Sequence, residues 1–217
     1  MTVLLIGATF ITFIVIDYLL RRRVAQGVEE QPAAARARPR LGFHETPAGA
    51  FLHPGHTWLT IGENGRVRIG IDDFAANALG AIDALKLPRV NTEVKTDSPL
   101  LSLKRGEREA RFISPVDGKV VAINDNASPN RLPGEWLVEV KPSRLEKALK
   151  NMRIAEAARQ WLQTEKNRLA DFLAVRQGSS APVLQDGGEP VPGILARMDD
   201  AAWETFQREF LERTTND

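Results

Sequence analysis

Leu100–Gly118 reads LLSLKRGEREARFISPVDG, and the fold is decided by how this stretch turns. Apolar and polar residues alternate up to Lys104, and a second such run returns through Phe112 and Ile113 into Ser114-Pro115-Val116-Asp117-Gly118. Two β-type runs around a short glycine-containing break predict a β-hairpin. A two-residue loop at Arg105-Gly106 sets Lys104 and Glu107 face to face across the tip, an exposed pair contributing about 0.2–1 kcal/mol. The tip is Lys104, Arg105, Gly106 and Glu107, and Arg108, Glu109 and Arg111 follow. Such a charged edge is normally solvated, and it also discourages edge-to-edge strand pairing.

The same short-strand pattern extends on both sides. HTWLTI (56–61) precedes Glu63-Asn64-Gly65, and Asn-Gly is a strong turn signal before the alternating RVRIGI (66–71). Asp72-Asp73 then opens a brief helix that Gly80 stops. Further strands are expected at AIDALKLP (81–88), PLLSLK (99–104) and GEWLVEVKP (134–142), with a strand pair around Asp117-Gly118. Trp58, Phe112 and Trp136 are placed as core. Many short strands spaced by Gly, Pro, Asn and Asp predict a small barrel or sandwich.

Beyond Pro142 the period changes to that of a helix. Ser143-Arg144-Leu145-Glu146 has capping-box spacing. Leu145, Leu149, Met152, Ala155, Ala158, Leu162, Leu169 and Phe172 recur every three or four residues, with one gap at Glu165-Lys166. This predicts one long amphipathic helix over 143–175, with Trp161 either packing it on the domain or anchoring a partner. A loop follows over 176–197, then a helix over 198–213 capped by Asp199-Asp200 and carrying Trp203, Phe206 and Phe210 on one face.

The amino end is different. MTVLLIGATFITFIVIDYLL (1–20) is followed by Arg21, Arg22 and Arg23. Twenty helical residues span about 30 Å, the thickness of a bilayer core. Charge after the apolar run predicts an uncleaved anchor with the rest of the chain facing the cytoplasm, hence a single-pass protein of the inner or cytoplasmic membrane. Residues 21–42, rich in Ala, Pro, Gln and Arg, form a basic flexible tether. The chain has 29 Lys+Arg against 28 Asp+Glu, so no field points to nucleic acid, and it has no Cys, which excludes disulfides and thiolate catalysis.

The ordered set of His56 and Trp58, the helix start at Asp72-Asp73-Phe74-Ala75, Leu87-Pro88, Ser114-Pro115-Val116-Asp117-Gly118 and Gly134-Glu135-Trp136-Leu137 resembles the H-protein of the glycine cleavage system. The resemblance covers roughly residues 44–143, and MDDAAWETFQREF (198–210) is similar to that family's closing helix. It implies a lipoyl-type β-barrel-like sandwich over 43–142, with a lipoyl-lysine at a hairpin tip whose arm carries an aminomethyl group between partner enzymes. The family's modified lysine stands seven residues before the Ser of Ser-Pro-Val. That position is Glu107 here, and counting forward from Pro88 reaches the same residue. A carboxylate cannot be the amine that an amide-linked lipoate requires. Lys104 stands where the family favours an acidic residue, so the two charges are exchanged.

The other candidate chemistry is weak. His44, His53 and His56 with Glu45 lack ligand spacing, and no metal is expected; His56 has a structural role beside Trp58. Asp72 and Asp73 are helix caps and not an acid–base pair. With no catalytic motif, no enzyme is expected. The reading is a mainly β protein with added helices. It is a membrane-anchored, non-lipoylated H-protein-like scaffold or adaptor without cofactor, contacting protein partners through the barrel or the 143–175 helix. The alternative is a lipoate-bearing carrier of aminomethyl or acyl groups modified at Lys104.

Overall fold

The computed structural model describes residues 46–129, 132, 134–177 and 191–215. The anchor and tether expected over 1–42, His44, Glu45 and most of the 176–197 loop lie outside them. Among the described residues, no helix is long and apolar enough to cross a membrane.

Short strands with alternating burial build two antiparallel sheets. Strands β1 (Phe51–Leu52), β2 (Thr57–Ile61), β3 (Val67–Ile71), β5 (Glu93–Val94), β8 (Gly118–Ile123) and β9 (Trp136–Pro142) form one sheet in the order β1-β2-β3-β9-β8-β5. Strands β4 (Ala84–Lys86), β6 (Pro99–Arg105) and β7 (Arg108–Ile113) form the other, ordered β4-β6-β7. Val67, Ile69 and Ile71 of β3 are buried while Arg68 is exposed, the signature of a strand with one wet face. Leu101, Leu103, Ala110 and Phe112 supply the core face of the β6–β7 hairpin. Trp58 is fully buried and its indole N–H donates to Ile71 O at 2.9 Å. Trp136 is only partly buried, with the Arg68 guanidinium 5.1 Å from its ring centre.

Two strand expectations change. The strand expected over 81–88 shrinks to the three residues of β4. The segments flanking Ser114–Asp117 are not a pair: β7 belongs to the small sheet and β8 to the large one. Pro115 supplies no N–H for a ladder, and the chain crosses between sheets there.

The helices differ more. α1 (Asp73–Leu79) behaves as expected, with Asp72 Oδ1 accepting from Ala75 N–H at 2.9 Å and Gly80 ending it at φ +72°. The single helix expected over 143–175 is instead α2 (Leu145–Leu149) and α3 (Ala155–Gln177). The break has a cause: Arg153 N–H and C=O exchange hydrogen bonds with Leu52 of β1, at 2.9 and 2.7 Å, and cannot serve a helix as well. The capping box is absent too. Arg144 is the N-cap residue and makes no side-chain bond to the helix backbone, while Ser143 N–H donates to Asp117 O.

On α3, Trp161, Leu162, Leu169 and Leu173 are buried against the chain's own domain. Its apolar stripe is therefore internal and not a surface for another protein. α4 (Asp200–Phe206) is capped by Asp199, which accepts from Ala202 N–H at 2.7 Å, and runs into a π-helical turn over Gln207–Leu211. The wider turn lets Phe206 and Phe210 stack at 4.8 Å while Gln207 is also buried.

Gly70 lies where β3 crosses under Trp58. A Cβ there overlaps the indole and stands 2.5 Å from Glu135 O. Gly70→Ala is expected to destabilise the domain by about 2–3 kcal/mol through overpacking, read as a lower urea midpoint with an unchanged slope.

Candidate functional site

The β6–β7 hairpin ends one residue later than the sequence suggests. Arg105 pairs with Arg108, so the loop is Gly106-Glu107. Gly106 takes φ +57°, the conformation a two-residue hairpin loop demands at its first position, and glycine adopts it without strain. This places Glu107, exposed, at the second loop position. Lys104 therefore faces Glu109 and not Glu107. Ser102 Oγ donates to Glu109 at 2.6 Å, and this bond holds the Glu109 carboxyl below its ordinary range, with help from Lys86, Lys104 and Arg111 against a small burial cost.

The tip is tied down on both sides. Arg105 donates to Leu79 O at the end of α1 and lies against Gly193, whose added Cβ would stand 3.1 Å from it. Gly106 N–H donates to Asp83 Oδ2 at 2.6 Å. Arg108 bonds Asp200 Oδ1 at 2.8 Å and Leu195 O at 3.3 Å, with its guanidinium 5.5 Å from the Trp203 ring centre. A cleft of about 540 Å³ opens beside Glu107, between β7 and α4, lined among others by Glu109, Trp203, Glu204 and Arg208.

The remaining motif residues are structural. Ser114 Oγ donates to Val116 O at 2.9 Å. Asp117 accepts from Thr96 N–H at 2.9 Å and from Arg144 at 2.8 Å. Gly118 is required because a Cβ would stand 2.8 Å from Val140 and 2.9 Å from Pro142. Pro115 marks the crossing between sheets.

A second cluster was not legible in the sequence. His56 is fully buried, with the rings of Phe74 and Trp161 stacked on it at 4.2 and 5.0 Å. Its Nδ1 lies 2.8 Å from Asp72 Oδ2, and its Nε2 lies 3.8 Å from Glu165 Oε2. Glu165 is 1% exposed and is held by Arg168 at 2.6 Å and Arg213 at 2.9 Å. The gap in the helical stripe is thus a buried carboxylate, and the gap itself was the one available signal. Burial alone would lower the His56 pKa; the charge and bond of Asp72, then those of Glu165, outweigh it and raise it above 6.5. Burial likewise pushes Glu165 up, but His56, Arg168 and Arg213 bring it below its ordinary value.

His53 is a separate buried residue: Nδ1 accepts from Gly55 N–H at 3.1 Å and Nε2 stands 3.2 Å from Asp97. Among the described residues, no group of three His, Asp or Glu side chains is placed to hold a metal ion.

The family model described as "Glycine cleavage H-protein" matches residues 51–165, more than half of the chain. This chain belongs to the glycine cleavage H-protein family. It is 30% identical over 130 residues to a probable glycine cleavage system H protein of Pyrococcus abyssi, covering 57% of this chain and 97% of that protein. It is 38% identical over 117 residues to the glycine cleavage system H protein of Oceanobacillus iheyensis, covering 51% and 91%. A crystal structure of the H protein from Mycobacterium marinum superposes with TM-score 0.44 at 22% identity, over 55% of this chain and 98% of that one. The H-protein match stops at Glu165, so Arg168 and Arg213 lie beyond it while His56 and Asp72 lie within it. The buried cluster joins the H-protein domain to the carboxyl-terminal helices.

Two outcomes are expected of the cluster. Glu165→Ala leaves the Arg168 and Arg213 guanidinium groups without their shared carboxylate and His56 with Asp72 alone, and is expected to cost about 3–5 kcal/mol in chemical denaturation. Because the folded His56 pKa is raised, its contribution is fully present below pH 6.5 and is lost as pH rises through the folded value. The urea midpoint of the native chain is expected to fall over that range, and His56→Gln to remove this component of the fall.

Proposed function

We propose that this H-protein-family chain is a scaffold or adaptor that works by contact, without lipoate, tethered to a membrane through residues 1–20. The observation that carries the reading is Glu107: an exposed carboxylate at the loop position where the family count places the modified lysine. Lipoate does not fit there, because its amide needs an amine from the protein and a carboxylate only accepts hydrogen bonds. The clamps at Arg105 and Arg108 support the same reading, since they hold the tip as a fixed surface. Tethering raises effective concentration for a partner in a membrane assembly. With the α3 stripe internal, the barrel and its tip are the surface left to a protein partner.

Lys104 is the competing acceptor because it is exposed and near the tip. It lies on β6 opposite Glu109, outside the loop. Intact-mass measurement on protein from a lipoate-competent host separates the two readings. The unmodified mass is expected; a lipoyl increment lost in Lys104→Arg overturns the proposal in favour of a carrier. Glu107→Lys is expected to gain that increment, because it restores an amine to the presented turn. Membrane attachment is checked by fractionation: the full chain is expected to resist alkaline extraction, and a variant lacking residues 1–20 to be released.

A further inference from the structure

The outer strands of the two sheets are not equally protected. β1 is bridged by Arg153, β5 has two residues, and β4 has three and runs into Leu87-Pro88. β7, with six residues, is the longest outer strand. Three of its outward backbone groups are met by side chains instead of by a strand. The Gln207 amide accepts from Arg111 N–H at 2.8 Å and donates to Arg111 O at 2.7 Å, as a paired strand residue does. The Trp203 indole donates to Glu109 O at 3.3 Å. The C-terminal helix thus stands in for a missing strand, and an uncovered edge of this length is a template for another chain.

The edge is also complementary to itself. Glu109 and Arg111 point their backbone groups outward, while Ala110 and Phe112 face the core. A two-fold antiparallel pairing centred on Ala110 sets Glu109 of one copy opposite Arg111 of the other, twice, at hydrogen-bonded positions. Centring on Glu109 or on Arg111 instead sets a like-charge pair at the centre, and the Glu107 that would face Arg111 in the first of these lies in the loop, outside the strand. We infer that β7 is a self-association edge for a second copy of this chain, held shut by Trp203 and Gln207 of the C-terminal helix.

The test uses the full chain in detergent. Trp203→Phe with Gln207→Met keeps the packing but removes the edge bonds. The Arg111 amide is expected to exchange about tenfold faster, with core amides unchanged, and an unchanged Arg111 amide overturns the covering role. Trp203→Ala with Gln207→Ala opens the edge, and sedimentation equilibrium is expected to show a dimer where the native chain is a monomer. In that background Arg111→Glu and Glu109→Arg are each expected to be monomeric alone and to form a heterodimer when mixed, since the mixture restores both opposite-charge pairs. If the double truncation does not fold, Gln207→Ala alone is measured in the same way. A chain with a released Arg111 amide that stays monomeric overturns the proposal, as does a dimer indifferent to the charge swaps.

Discussion

His56 is the residue about which the rest is arranged. It sits at φ +58°, a conformation that is strained for anything but glycine, and its backbone is held there by bonds with His53 and Asp72. One ring nitrogen meets the carboxylate that caps α1, and the other faces Glu165 on α3. Glu165 in turn collects Arg168 and Arg213. A buried carboxylate and imidazole are unfavourable in isolation, so the strand entry, α1, α3 and the C-terminal tail must all be in place together. Burial of Trp161, Phe206 and Phe210 supplies the non-directional drive; the charged cluster fixes where the helices sit.

The hairpin tip is built on the opposite principle. Its charges are exposed and individually weak, but the loop is positioned by backbone geometry and by three anchors: Arg105 on α1, Gly106 on Asp83 and Arg108 on the C-terminal helix. The family frame and the added helices therefore meet at two places, one buried and one on the surface. Residue 107 is presented at the turn as a carboxylate, and the proposed contact role rests on that chemical identity.

Much of the frame was legible. Alternation marked β2, β3, β6 and β9, the Asp72 and Asp199 caps marked α1 and α4, and the spacing from Pro88 and Ser114 located Glu107. The failures were long-range. The helix period ran unbroken through 150–154, yet Arg153 gives its backbone to β1, which no local window reports. The loop was displaced by one residue because Gly106 suits either loop position until its φ is known. Glu165 looked like a lapse in the stripe because a buried carboxylate is recognisable only with its partners, and these are contributed by residues 56, 168 and 213.

The sequence by itself determined the strand-and-turn frame, the family and the carboxylate at residue 107, because periodicity, turn chemistry and side-chain identity are local properties. Only the tertiary structure decided which carboxylate is buried, where the long helix breaks, and which side chains cover the β7 edge. Those outcomes depend on groups dozens of residues apart competing for the same hydrogen bonds and the same dry volume, and a linear pattern carries no record of which competitor arrives.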